Sequence, residues 1–314
     1  VFGDLLLGQT DDAGAEAVAA GHHVGITGGG GDMGREAVIK GDAAVTADAE
    51  PGTQGLCPLF GSHRIQVGKA IRIFEYQPDR TGERPKRFLS SFKGYLVTDG
   101  YTAYNAVENV TRCGCWAHIR RAWRDAMPKG ATMENSKAAV GYNYCNKLFA
   151  LEKKWKTQTN AERLKSRQYK SEKIVDEYYL WVRSLDPVIG SKLEDAVNYA
   201  LNQEQYLRAF LKNGEVEISN NFAENAIRPF VIGRKNWLFS DTVKGAKSSA
   251  IIYSLIETAK ANGVEPHAYL TLILTDMQYM GKPFSNEELE SFMPWSEELK
   301  DSIASRTRPV PLTE

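Results

Sequence analysis

Along residues 71–76 (IRIFEY) apolar and polar side chains alternate, and the β-branched and aromatic content predicts a strand. Pro78 and Asp79 turn the chain. Pro85 then opens a short helix in which Phe88, Leu89 and Phe92 recur at helical spacing before Gly94 stops it. Residues 95–98 (YLVT) read as a second, buried strand that ends on Asp99-Gly100. This strand–helix–strand unit leaves a carboxylate at the C-terminal end of its second strand, where open α/β sheets present ligands.

Residues 103–107 favour helix, a short strand-like link follows, and residues 115–127 return to helix. From 136 to 212 the helical period dominates. One apolar series runs through Val140, Tyr144, Leu148, Leu151 and Trp155; another runs through Ile174, Val175, Tyr178, Val182 and Leu185. Ser191 with Glu194 predicts a capping box for a third helix, which Gly214 stops. Ser219-Asn220-Asn221 is an N-cap cluster for a helix over 222–227 that Pro229 is expected to end early. Residues 247–262 form another amphipathic helix, with Gly263 just past its end and Pro266 starting the next. The predicted fold class is α/β: a small mixed sheet near Asp99, a long all-helical insertion and a helical C-terminal region, without internal repeats.

Composition narrows the function classes. With 42% hydrophobic and 25% charged residues, the 314-residue chain has the balance of a soluble globular protein. No apolar run approaches the roughly 18 residues of a membrane span, and no basic-then-apolar leader opens the chain. Four cysteines (Cys57, Cys113, Cys115, Cys145) are too few and too irregular for a disulfide framework, so a reducing compartment is expected. The formal charge of zero averages two unlike pieces. Residues 1–62 hold nine acidic residues against Arg35 and Lys40, together with 14 of the 27 glycines and no Trp or Tyr. Such a segment buries little apolar area. A mobile leader, a small strand-and-turn unit and out-of-register translation stay open, the last being the expectation because the composition changes abruptly over 63–71.

Gly29, Gly31 and Gly34 fit G-x-G-x-x-G with Asp48 downstream, which suggests a nicotinamide-dependent oxidoreductase. The helix that must follow has only residues 35–40 before Gly41, short of the ~10 a crossover needs. Asp99 is either a ligand at a strand end or a turn-forming Asp-Gly. Cys113, Cys115 and His118 have zinc-like spacing but lack a fourth ligand nearby, and Cys145 and His267 are remote, so buried thiols are the plainer reading. Arg120, Arg121 and Arg124 form either a solvated face or a phosphate grip. Glu224 falls one turn into its helix with Arg228 four residues on, which suits an exposed ion pair as well as a site. Arg234, Lys235, Trp237, Lys244 and Lys247 extend a basic, aromatic-interleaved run suited to nucleic acid.

The stretches FEYQPDRTGERPKRFLSSFKGYLVTDGYTAY, GCWAHIRRAW, EISNNFAENAIRPFVIGRKNWLFS and GAKSSAIIYSLIETAKANGVEPHAYL, followed by MPW at 293–295, occur in order over about residues 71–295. Together they resemble the insertion-sequence-66 family of bacterial transposases. The resemblance implies a retroviral-integrase-like (RNase H-like) core that cuts and joins DNA with an Asp-Asp-Glu triad and Mg²⁺ (or Mn²⁺). It carries the second Asp onto Asp99 and the triad Glu onto Glu224, within the N-N-x-A-E pattern of Asn220, Asn221 and Ala223. The family's Cys-x2-His signature falls on Cys115 and His118. Arg120, Arg121, Arg228, Arg234, Lys235 and Lys244 are then the expected DNA-backbone contacts.

The family's first Asp belongs to an A-D-E-T-like strand followed by an aromatic one. Its nearest counterpart here is Asp48 in ADAE, without the aromatic strand. The upstream DNA-recognition segments usual in the family are also missing from these residues, so a truncated or frame-disrupted copy is expected. The implied organisation is an atypical leader (1–62), two parts of the core (63–128 and 216–264), the insertion (129–215) and a helical tail region (265–314). The implied partners are transposon ends and target DNA, accessory transposition proteins and a second copy in the synaptic complex. The expected location is the bacterial cytoplasm, at the nucleoid, with no membrane contact. A catalytically inactive DNA-binding remnant is the alternative.

Overall fold

The computed structural model describes residues 36–40, 57–65, 69–77, 81–90, 92–237, 242–280 and 284–307. Five strands form one sheet: β1 (Glu36–Lys40), β2 (Cys57–Ile65), β3 (Lys69–Gln77), β4 (Gly94–Thr98) and β5 (Val110–Gly114), in the order β3-β2-β1-β4-β5. β2 runs antiparallel to both β1 and β3, whereas β1, β4 and β5 are parallel. Helix α1 (Glu83–Phe88) links β3 to β4, and a short 3-10 turn (Thr102–Ala106) precedes β5. Residues 36–40, where the dinucleotide reading requires a helix, are strand β1. Gly29, Gly31, Gly34 and Asp48 lie outside the described residues.

The insertion is helical as its periodicity predicts. After α2 (Trp116–Asp125) come α3 (Lys137–Lys154), α4 (Asn160–Ser166), α5 (Glu172–Arg183) and α6 (Lys192–Leu207), with a π-helical segment over Arg167–Ser171 joining α4 to α5. Its apolar stripes are not a separate core. Val97 and Cys113 from the sheet pack in one cluster with Trp116, Trp123, Leu148, Tyr178, Val197 and Phe210. The two tryptophan N–H groups are satisfied within it: Trp123 donates to the Tyr178 hydroxyl at 2.9 Å and Trp116 to the Leu207 carbonyl at 2.9 Å.

Three local expectations are corrected. Ser191 does accept from the Glu194 N–H, but the Glu194 carboxylate reaches the Gly190 N–H rather than closing the box on Ser191. Gly214 does not stop a helix, because α6 ends at Leu207 and a 3-10 turn follows. Its role is close approach: a Cβ there would lie 1.8 Å from the Asn160 carbonyl oxygen. Pro229 does not end its helix either. Helix α7 spans Asn221–Trp237. Pro229 removes one N–H, whose acceptor would belong to solvent-exposed Asn225, and the flanking Ile227 and Phe230 are buried against Phe74 and Ala250, which carries the helix through.

Helix α8 (Val243–Ala261) begins four residues before the expected start, capped by Thr242, and it covers the edge of the sheet. Alternate residues of β3 present their main-chain groups to a polar stripe on α8. Ser254 serves Phe74, Thr258 serves Arg72 and Asn262 serves Ala70, each pairing with both the N–H and the C=O. The match is geometric: four helical residues rise about 6.0 Å and two strand residues about 6.6–6.8 Å. Helices α9 (Pro266–Asp276), α10 (Asn286–Ser291) and α11 (Glu297–Thr307) complete the C-terminal region around Leu255, Tyr269, Phe292 and Leu299. No described helix is long and apolar enough to cross a membrane.

Candidate active site

Strands β4 and β5 run parallel with Thr98 opposite Gly114, so Asp99 and Cys115 follow at the same end of the sheet. Asp99 is buried, and its Oδ1 accepts from the Tyr101 N–H at 2.9 Å, which turns the chain at Asp-Gly and fixes the carboxylate at the strand end. Gly100 is required by its neighbour: a Cβ there would meet the Tyr199 ring at 2.7 Å. The Tyr199 hydroxyl accepts from the Gly100 N–H, and burial foremost raises its pKa, with the negative fields of Cys115 and Asp99 adding to it.

Arg112 holds the loop behind Asp99. Its guanidinium donates to the Thr98 hydroxyl (2.8 Å), to the Asp99 carbonyl (2.8 Å) and to Asn105, and it lies over the Tyr206 ring at 4.2 Å. Burial lowers its pKa, countered by Tyr206 and Asp99. Nothing in the sequence pattern marks Arg112 or Tyr199; an arginine inside a five-residue strand is the only local anomaly.

Glu224 arrives from the far side of the insertion. The Trp116 N–H donates to the Ile218 carbonyl at 3.0 Å, and the Asn220 N–H bonds the Cys115 sulfur, which docks residues 218–220 on the start of α2. The Glu224 N–H then donates to the Asn220 carbonyl at 3.0 Å in the first turn of α7. Its carboxylate comes to rest 3.3 Å from His118 Nε2 and 3.7 Å from an Arg121 nitrogen, and it is only 13% exposed. Arg72 of β3 stacks over the Phe222 ring at 3.6 Å and ties the same turn to the sheet. The Asn220 side chain is fully buried, and both of its amide atoms lack a hydrogen-bond partner among the described residues.

The structure therefore brings Glu224, His118 and Arg121 together near Cys115, which follows β5 at the sheet end where Asp99 follows β4, and it divides the arginine trio. Arg121 faces Glu224, Arg124 pairs with its neighbour Asp125, and Arg120 lies over Phe149 at 4.7 Å. Arg228 and Lys244 are exposed on α7 and α8; Arg234 and Lys235 lie in α7, where only the backbone is described. Among the described residues no group of three His, Cys, Asp or Glu side chains is placed to hold a metal ion, so the zinc-like spacing assembles no zinc site there. Cys113 and Cys145 are buried, and burial pushes the Cys115 thiol up to about 11. Cys115 stays protonated at neutral pH and unreactive. In thiol titration at pH 8 the native chain leaves Cys113, Cys115 and Cys145 unmodified, and all three react after denaturation; modification of Cys115 in the native chain contradicts this placement.

The sequence comparisons agree with the motifs. The model of the "Transposase IS66 family" matches residues 58–248, and that of the "IS66 C-terminal element" matches residues 254–295. The chain belongs to the IS66 transposase family. The match begins at residue 58, inside the segment expected to be atypical, and its second part starts at Ser254 on the stripe that covers β3. Similar chains include "Uncharacterized protein y4qI" of Sinorhizobium fredii (strain NBRC 101917 / NGR234), 34% identical over 71% of this chain and 42% of that protein. "Uncharacterized protein y4hP" of the same strain is 28% identical over 64% of this chain and 40% of that protein. The chain thus spans less than half the length of these relatives. No solved structure matches it.

Proposed function

We propose that this chain is the DNA-processing core of an insertion-sequence transposase, built on an RNase H-like sheet. The order β3-β2-β1-β4-β5, with β2 alone reversed, supports the fold reading. The observation that carries the function is the arrival of Glu224 beside His118 and Arg121, at the strand ends where Asp99 stands. Asp99 and Glu224 are the carboxylates assigned to strand cleavage and joining. Arg228, Arg234, Lys235 and Lys244 are assigned to the DNA backbone, which positions without reading sequence. Transposon ends and target DNA are the proposed partners, with accessory proteins and a second copy in the synaptic complex.

Mg²⁺ or Mn²⁺ is the proposed cofactor, since carboxylate oxygens are the donors such hard ions take. The described residues do not complete a cage for it. Among the described residues neither Asp99 nor Glu224 belongs to a group of three His, Cys, Asp or Glu side chains that could hold a metal ion. The β1–β4 register of Val38 opposite Val97, continued by two places, sets Lys40 level with Asp99 where a third carboxylate is needed. That same lysine position favours a second reading, a DNA-binding transposase that no longer cuts. Asp48 is the remaining candidate donor, outside the described residues.

Pre-nicked transposon-end DNA incubated with the full chain in Mg²⁺, Mn²⁺ or EDTA separates the readings. Joined product that requires the cation and is lost in Asp99→Asn and in Glu224→Gln supports the enzyme. Salt-sensitive DNA binding without product supports the inert protein and overturns the enzymatic reading. Equal product from wild type and both variants overturns the carboxylate assignment.

A further inference from the structure

The insertion carries a basic cavity that the proposed chemistry leaves unused. Between the end of α3 and the α4–α5 junction lies an open cavity of about 390 Å³, walled by Lys154, Gln158, Lys165, Ser166, Tyr169 and Lys170, with Trp155 at its base too buried to offer a stacking face. All three lysines are exposed, and no carboxylate lines the cavity. The acids nearest in sequence are engaged elsewhere or face away. Glu152 is held by Arg163 and Arg167, and Glu162 is spent on capping Thr159. Glu172 is exposed and forms no part of the wall.

Three ammonium groups around one concave surface repel each other and concentrate anions there. The remaining groups suit phosphate oxygens. The Ser166 hydroxyl and Gln158 are already ordered by a 3.1 Å hydrogen bond. Tyr169 is 67% exposed, and the Lys173 ammonium sits over its ring at 4.6 Å, so the hydroxyl is its open polar group and one stacking face is taken. Nucleobase stacking is thereby disfavoured relative to backbone contact.

We propose that this cavity is a docking site for the phosphodiester backbone of duplex DNA, separate from the Asp99–Glu224 end. The proposal rests on the DNA reading above and extends it to the insertion. Arg167, in the π-helical segment beside the cavity, also donates to the carbonyls of Phe210, Asn213 and Val216, in the stretch that leads to α7. DNA gripped in the cavity is thus held by an element braced against the approach to Glu224.

The test is fluorescence anisotropy of the full chain with a labelled duplex between 50 and 200 mM KCl. The triple variant Lys154→Gln/Lys165→Gln/Lys170→Gln is compared with a control triple at exposed lysines outside the cavity, Lys129→Gln/Lys137→Gln/Lys192→Gln. Circular dichroism and thermal midpoint confirm that both fold. Three lost phosphate contacts lower the salt slope by about 2.7, so the wild type's advantage over the cavity variant shrinks about 40-fold across that range. Binding with an unchanged slope, or an equal fall in the control triple, overturns this inference alone. No binding by the wild type overturns the DNA reading and the cavity proposal with it.

Discussion

Glu152→Ala lowers the folding free energy by about 3–5 kcal/mol, the cost of leaving a buried charge without its partner. Arg167 is completely buried, and its guanidinium takes both oxygens of Glu152, at 2.8 and 2.7 Å. Arg163 bonds the same carboxylate at 3.0 Å but keeps Glu217 at 3.5 Å, so the truncation leaves the buried Arg167 charge as the one without a carboxylate. Arg167→Met reaches a similar cost by another route. It leaves Glu152 paired with Arg163 but strips the donor from the Asn213 and Val216 carbonyls, at about 1–3 kcal/mol for each group left unsatisfied, while the Phe210 carbonyl keeps the Asn213 N–H. Urea denaturation of both variants measures this, with a fall in thermal midpoint on the order of 10 °C. A loss below about 1 kcal/mol for Glu152→Ala means that the cluster does not brace the fold. The consequence reaches the site, because the gripped stretch runs through Ile218, which bonds Trp116, into the helix that presents Glu224. Gly214 tightens the same crossing, having no space for a side chain against Asn160.

Ser254→Ala combined with Thr258→Val costs about 2–6 kcal/mol, from about 1–3 kcal/mol for each of the two buried β3 N–H groups that lose their acceptor. Both hydroxyls are fully buried and each serves an N–H and a C=O of β3. With the stripe removed, β3 becomes an open edge strand able to pair with another copy. Denaturation should show the stability loss, and light scattering at moderate protein concentration should show association that the wild type lacks. A double variant matching the wild type in both measurements rules out the stripe as the cover of the sheet edge.

Most elements were readable before any coordinates. The 71–76 alternation, the 95–98 strand, the stripes through Leu148 and Tyr178, and the Pro266 start all occur where the pattern places them. The misreadings share one cause. Pro229 and Gly214 were weighed as local breakers, yet the burial of Ile227 and Phe230 outweighs the first and a crossing chain 54 residues away in sequence explains the second. The role of the Ser254, Thr258 and Asn262 stripe is not legible from an amphipathic helix alone, because its partner strand lies 180 or more residues earlier.

The candidate site divides in the same way. That Asp99 follows a strand and that Glu224 lies in the first turn of a helix was legible from local pattern, because these are relations within a few residues; their assignment to a site came from the family resemblance. Which base meets Glu224, which arginine faces it and which of the trio packs inward were not legible. Those outcomes depend on how the insertion folds back onto the sheet, and periodicity carries no information about the distance between two helices. Chain-local forces, namely capping, periodic burial and turn geometry, account for the elements and the family motifs. The surroundings of Glu224 arise from long-range packing: Arg167 seizes the 210–216 stretch and Trp116 bonds Ile218, which sets the helix that carries Glu224 to His118 and Arg121.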